Sequence, residues 1–255
     1  MSFNANKKTA QSKELTFDDF KTRAANESLS AYEKIGFPNS YREGKEELIF
    51  QDITSKLPNL SRKTQRVLDI GPGCSGPAFM IIEWCRRRGH QLVLVDSNEM
   101  LSRLPDEPFI EKVAAKYPEK AASLLETHAG SFDAIISYSV LHYIFAETNL
   151  FDFLDVSLSL LAHGGQMLLG DIPNISKRKR FFRSPAGVRF HQEFTGTNET
   201  PNVQFNEIET GKIDDSVLIS LLLRARHAGC DAYLLPQPPD LPMANRREDI
   251  LVIKP

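Results

Sequence analysis

The sequence predicts an α/β fold built on a mostly parallel sheet. Three observations predict it. From Arg66 onward, short apolar runs of strand length alternate with helical patterns. A glycine-rich turn, GPGCSG, sits where the first of those runs meets its helix. The last two strand-like runs lie close enough in the chain to pair antiparallel. The 255 residues, 41% hydrophobic and 25% charged, suffice for one large domain with a full core or for two small ones.

Residues 1 to about 14 are polar and are expected to fray. TFDDFKTRAANESLSAYEKIG and YREGKEELIFQDITSKL then carry apolar residues at helical spacing on either side of the turn-like GFPNS, which predicts a helical N-terminal cap over residues 1–60. RVLDIG, PAFMIIEWCRRRG, HQLVLVDS and NEMLSRL read as strand, helix, strand and helix, the opening of a Rossmann-like layer that occupies residues 61–255. A short strand is expected near PFIEKVA and a helix over EKAASLLETH. FDAIISYS reads as a buried strand, LFDFLDVSLSLLA as a helix ending at Gly164-Gly165, and QMLLGDI as the next strand. An insertion over about 174–211 is too polar and turn-rich for sheet interior. After it come a helix at DDSVLISLLLRARHAG and strands at CDAYLLPQ and REDILVIKP.

The formal net charge of −2 gives no global attraction to nucleic acid or to an anionic membrane. Cys74, Cys85 and Cys230 form no C-x-x-C pair and read as packing residues in a reducing compartment, against a disulfide frame or a thiolate zinc site. The histidines and carboxylates show no metal-ligand spacing. No run of about 18 apolar residues occurs and no signal-peptide h-region opens the chain, so a cytoplasmic protein without membrane insertion is expected.

Gly71-Pro-Gly73-Cys-Ser-Gly76 spells the dinucleotide pattern G-x-G-x-x-G, yet Asp69 stands two residues ahead of it. A pyrophosphate brings negative charge to such a turn, and a carboxylate at the strand end opposes it. S-adenosylmethionine brings an ammonium that Asp69 can accept from, while its carboxylate suits the helix N-terminus. Pro72 removes one N–H that a phosphate cradle needs. Asp96 closes the second strand and is positioned to take both ribose hydroxyls, a role common to the two ligands. Ser97 beside it, and Ser137 and Tyr138 at the end of the fourth strand, complete the expected cofactor set.

On VLDIGPG, LVLVDS, FDAIISYSVLHYI and LLAHGGQMLLGDI, in that order and spacing, the chain resembles the class I S-adenosylmethionine-dependent methyltransferases over roughly residues 60 to 255. The resemblance implies a seven-stranded sheet of order 3-2-1-4-5-7-6 with strand seven antiparallel. It also implies an adenine contact after strand three, where Lys116 and Tyr117 are candidates by position. The insertion and the motif LPQPPDLPMANRRED are similar to methyltransferases of bacterial surface-polysaccharide gene sets, which implies a sugar or nucleotide-sugar hydroxyl as acceptor. A nicotinamide-dependent oxidoreductase, an RNA-directed methyltransferase and a nucleoside-binding module without catalysis are the competing readings.

His142 after strand four and Asp171 at the end of strand five are the candidates for a general base, His142 also for acceptor contact. The run Lys177-Arg178-Lys179-Arg180-Phe181-Phe182-Arg183 reads ordinarily as a solvated helix face. Its position past strand five offers an alternative, in which Arg180 and Arg183, with His191, hold a phosphate or carboxylate of a small acceptor. Asn245 to Asp249 are expected to pin their loop through local ion pairs, and Tyr32, Phe37 and Tyr41 are candidates for a lid.

Overall fold

The computed structural model describes residues 15–255 apart from 120 and 121, so the expected frayed segment lies outside the described residues. In chain order, α1 (Phe17–Ala25), α2 (Ala31–Lys34), α3 (Asn39–Arg42) and α4 (Glu46–Lys56) precede the first strand. Then follow β1 (Arg66–Ile70), α5 (Gly76–Arg88), β2 (Gln91–Asp96), α6 (Asn98–Leu101), β3 (Ile110–Ala114), α7 (Ala122–His128) and β4 (Phe132–Tyr138). The chain continues through α8 (Leu141–Glu147), α9 (Leu150–Leu160), β5 (Leu161–Pro173), α10 (Ile175–Arg183) and α11 (Pro185–Thr195). It ends with α12 (Asp215–His227), β6 (Asp231–Pro236) and β7 (Arg247–Ile253).

The strands form one sheet of order β3-β2-β1-β4-β5-β7-β6, with β7 antiparallel to both of its neighbours, as the resemblance implied. Side chains alternate across it with the period of two that a strand imposes. Val67, Leu92, Leu94, Ala134 and Ile136 pack on one face with Ile49 and Ile53 of α4 and Ile81 and Ile82 of α5. Leu68, Ile70, Val93, Val95 and Ile135 pack on the other with Leu154 and Leu158 of α9 and Leu218 and Leu221 of α12. Each such side chain contributes about 1.5–3 kcal/mol on burial. Helix α4, placed in the cap from sequence, therefore shares the core of the sheet layer, whereas α1 to α3 lie over the carboxyl edge of the strands.

Two elements differ from expectation. The helix expected to end at Gly164-Gly165 stops at Leu160, and β5 begins at Leu161. Leu161 pairs with Phe132, the register shifts, and Gly164 and Gly165 exchange backbone hydrogen bonds with Lys254 at 2.8 and 3.0 Å. Ladder partners thus satisfy the backbone groups that a helix terminus would have left open. The insertion, expected to be turn-rich, holds two helices over 175–195 and runs on without helix or strand to 211. Asn174 caps α10 by accepting from the Ser176 and Lys177 amides, and Ser184 caps α11 by accepting from Gly187, with Pro185 in the first turn.

The three cysteines are buried and free. Among the described residues no helix is long and apolar enough to cross a membrane.

Candidate active site

Register brings the polar strand ends together. Ile70 pairs with Val95, Asp96 with Ala114, and Tyr138 with Gly170, so the carboxyl ends of β1, β2, β3, β4 and β5 share one edge of the sheet. Open α/β sheets bind ligands at this edge. A cleft of about 1170 Å³ of empty space, open mouth included, lies along it. Asp69, Gly71, Pro72, Gly73, Asp96 and Tyr138 line it from the sheet, Met100 and Ala115 from beyond β2, and Phe17, Phe20, Ile35 and Arg42 from the N-terminal helices.

The turn after β1 requires its glycines. Gly71 and Gly73 adopt φ of +72° and +65°. A β-carbon there would come within 2.6 Å of Val140 Cγ2 and 2.7 Å of Ile35 Cγ2. Asp96 orders the same turn by accepting from the Gly73 amide at 3.2 Å and from the Ser97 amide at 2.7 Å. Burial outweighs these bonds and pushes the Asp96 carboxyl up to about 6.

Asp69 is 5% exposed, and its carboxyl has neither a hydrogen bond nor an ion pair among the described residues. Burial, and secondarily the Asp96 charge, pushes it up to about 8. A buried carboxyl facing a cleft without a partner favours a cationic group, and the ammonium of S-adenosylmethionine fits it. The turn offers a diphosphate little, because Pro72 has no amide hydrogen and the Gly73 amide is committed to Asp96.

Beside the cleft stands a second polar cluster. Asp171 has φ of +56° and Ser139 of +63°, left-handed backbone for both. Arg42 donates to Ser139 Oγ at 2.6 Å and to Asp171 Oδ2 at 2.7 Å, and its guanidinium lies 4.1 Å from the Phe37 ring centroid. Ser139 also donates to Asp171. Arg247 donates to the Asp171 carbonyl at 2.8 Å, and Asp249 accepts from the Asp171 amide at 2.7 Å while pairing with Lys56. Burial raises the Asp171 carboxyl, but Arg247, Arg42 and the Ser139 bond together hold it below the ordinary range. Burial, helped by the Arg247 charge, pushes His142 down to about 3, and its Nδ1 is enclosed without a hydrogen-bond partner. From the Asn245 to Asp249 run, Arg247, Glu248 and Asp249 thus reach Asp171, Asn174 and Lys56 far along the chain instead of pairing with one another.

The remaining sequence candidates are dispersed. Ser97 caps α6 through the Met100 amide, and Ser137 is fully buried with an unpartnered hydroxyl; neither lines the cleft. Lys116 and Tyr117 do line it, Lys116 paired to Glu147 at 3.1 Å and Tyr117 bonded to Ser157 at 2.9 Å. Phe37 lines it too. Arg180 is half exposed and paired with Asp215 at 2.5 Å, and Arg183 is exposed. His191 packs edge-on to Phe182 at 6.3 Å. The structure does not bring these three to the cleft. Arg42 escaped sequence reading because it lies in no motif, and Ser139 because nothing in the fourth-strand motif marks it above its neighbours; Met100 and Ala115 follow strand ends, a positional signal that was present.

A family profile described as a methyltransferase domain matches residues 68–169. No curated protein sequence matches the chain. Among solved structures, phosphoethanolamine N-methyltransferase 1 of Haemonchus contortus superposes with a TM-score of 0.57 at 16% identity, over 93% of this chain and 48% of that one. The plantazolicin methyltransferase BpumL gives 0.55 at 12% identity, over 93% and 97%. A chain from the complex of the Haloferax volcanii Trm112 methyltransferase activator with a methyltransferase gives 0.54 at 12%, over 93% and 98%. At these identities the likeness is one of fold. Residues 68–169 thus match a methyltransferase domain, set in a sheet whose strand order is the one the resemblance to the class I S-adenosylmethionine-dependent methyltransferases implied.

Proposed function

We propose that the enzyme methylates an oxygen of a small-molecule acceptor, a sugar or nucleotide-sugar hydroxyl being the first candidate, with the acceptor entering between α3, α10 and the end of β5. Asp69 carries the cofactor half of this reading, because a buried carboxyl without a partner there is suited to hold an ammonium. In the same reading Asp96 takes the ribose hydroxyls, with Ser97 beside it ordering the start of α6, while Tyr138 lines the cleft from β4 and Ser137 is buried behind it. Val95, Met100, Ala115 and Ile144 give the adenine an apolar bed next to Lys116. When bound, S-adenosylmethionine supplies an electrophilic methyl on a sulfonium that is already a good leaving group. The protein's main task is then alignment, worth up to about 7–11 kcal/mol in favourable cases.

His142 stays neutral through the physiological range; it stands behind the cleft lining, and in this reading its enclosed Nδ1 meets an acceptor hydroxyl only once the site opens. It orients that hydroxyl and is a weak base. Asp171 is committed to Arg42, Ser139 and Arg247, so it acts as a positioning residue that keeps Ser139 and the two guanidiniums in place rather than as the group that removes the proton.

Calorimetric titration with S-adenosylmethionine, S-adenosylhomocysteine and the nicotinamide cofactors tests the cofactor half. Binding of a nicotinamide cofactor alone would overturn it. Cell extract incubated with isotope-labelled methyl donor, read by mass spectrometry, tests the acceptor half: label on a sugar oxygen is expected, and label on carbon, nitrogen or RNA would replace the assignment.

A further inference from the structure

Helix α10 carries five basic residues, and the structure treats them unequally. Lys177 donates to the Arg247 carbonyl, Lys179 pairs with Glu209 at 3.0 Å, and Arg180 pairs with Asp215. Arg178 has no hydrogen bond from its guanidinium and no carboxylate partner among the described residues. Its guanidinium lies 5.1 Å from the centroid of Phe182, a buried ring one turn along the same helix. A second guanidinium, that of Arg246, lies 5.7 Å from the centroid of the same ring. Arg246 likewise has no carboxylate among the described residues, and its Nε is enclosed without an acceptor.

Two cations thus share one aromatic ring with no counter-charge. Burial acts first against the Arg246 cation, and the like charges of Arg178 and Arg247 add to it. An aromatic ring offsets one such charge only modestly, and an enclosed N–H without an acceptor is unfavourable. An oxyanion removes both costs, since a guanidinium fork matches carboxylate and phosphate geometry. The site is next to the proposed acceptor entrance: Arg246 adjoins Arg247, which holds Asp171.

We propose that Arg178 and Arg246 form a subsite for a carboxylate or phosphate group of the methyl acceptor. This deepens the methyltransferase reading and rests on it. It moves the anion contact anticipated at Arg180, whose charge Asp215 already neutralises, to Arg178 and Arg246 beside the Phe182 ring.

The test uses the full chain saturated with S-adenosylhomocysteine, so that the glycine turn is occupied. Inorganic phosphate and acetate are titrated separately at constant ionic strength, following the arginine Nε–H resonances by NMR. Saturable shifts at Arg178 and Arg246 with either anion are expected, phosphate or acetate alone identifying which group the acceptor carries. Arg178→Gln is expected to weaken that binding at least fivefold and Arg178→Gln/Arg246→Gln to abolish it, with S-adenosylhomocysteine affinity unchanged. Because Arg178 is exposed, its single variant keeps the native melting temperature and remains informative even if Arg246→Gln unfolds. Absence of saturable shifts, or wild-type anion affinity in Arg178→Gln, would overturn the proposal. Failure of the wild type to bind S-adenosylhomocysteine would overturn the methyltransferase reading instead.

Discussion

Asp69 is costly to the empty protein. Its ordinary value of 3.8 rises to about 8 on folding, so between those values the folded chain holds a proton that the unfolded chain has released. Stability on this account falls as pH rises from about 4 to 8, and Asp96, raised to about 6, adds to the lower half of that window. Asp69→Asn is therefore expected to raise the melting temperature of the cofactor-free protein at pH 8 while leaving it little changed at pH 4. The same variant is expected to lose about 10- to 100-fold in S-adenosylmethionine affinity, the worth of a charge-assisted hydrogen bond. At pH 7, binding to the wild type should release a proton as Asp69 ionises against the ammonium. Calorimetry in buffers of different ionisation enthalpy reads that release directly, and its absence would mean Asp69 is not the ammonium's partner. For His142, held near 3, the expected consequence is a rate without an inflection near 6.5; a histidine limb there in the pH profile would contradict the orienting role.

Among the elements, the short N-terminal helices carry more than their length suggests. Helix α1 is held by a capping box in which Thr16 accepts from the Asp19 amide and Asp19 accepts from the Thr16 amide. It presents Phe17 and Phe20 to the cleft, and Arg103 ties it to the sheet layer through the Ala24 carbonyl at 2.6 Å. Thr16→Ala should cost about 1 kcal/mol of local helix stability. Faster amide exchange in α1 and weaker cofactor binding, with exchange in β1 and β4 unchanged, are the expected readouts. Helix α3 is pinned differently, by Arg42 to Asp171 across the edge of the sheet. Arg42→Met leaves Asp171 with Arg247 as its remaining arginine beside the Ser139 bond, and a loss of about 3 kcal/mol in denaturant unfolding is expected, the lower end for a broken buried pair.

For the whole molecule, a sheet packed on both faces is a rigid platform, and the polar residues stand on its carboxyl edge under the lighter α1 to α3 segment. Cofactor binding is accordingly expected to protect α1 to α3 from amide exchange far more than it protects β4 or β5, whose backbones are already buried. Equal protection everywhere would mean that the N-terminal helices do not close over the ligand.

Much of this was legible in the sequence because it is local. The apolar runs Val67 to Ile70 and Leu92 to Val95, the glycine turn and the carboxylates at the two strand ends depend on neighbours within one β-α-β unit. The chain alone thereby determined the layer and the edge of the sheet at which the cleft lies. Tertiary structure decided what each charge is for. Arg42 and Asp171 meet across 129 residues, Lys56 and Asp249 across 193, and a pairing at such separation leaves no trace in local pattern. Arg180 and Arg178 are equivalent letters in one basic run, and only the folding of Asp215 against one and Arg246 beside the other makes the first a structural pair and the second a charge without a partner.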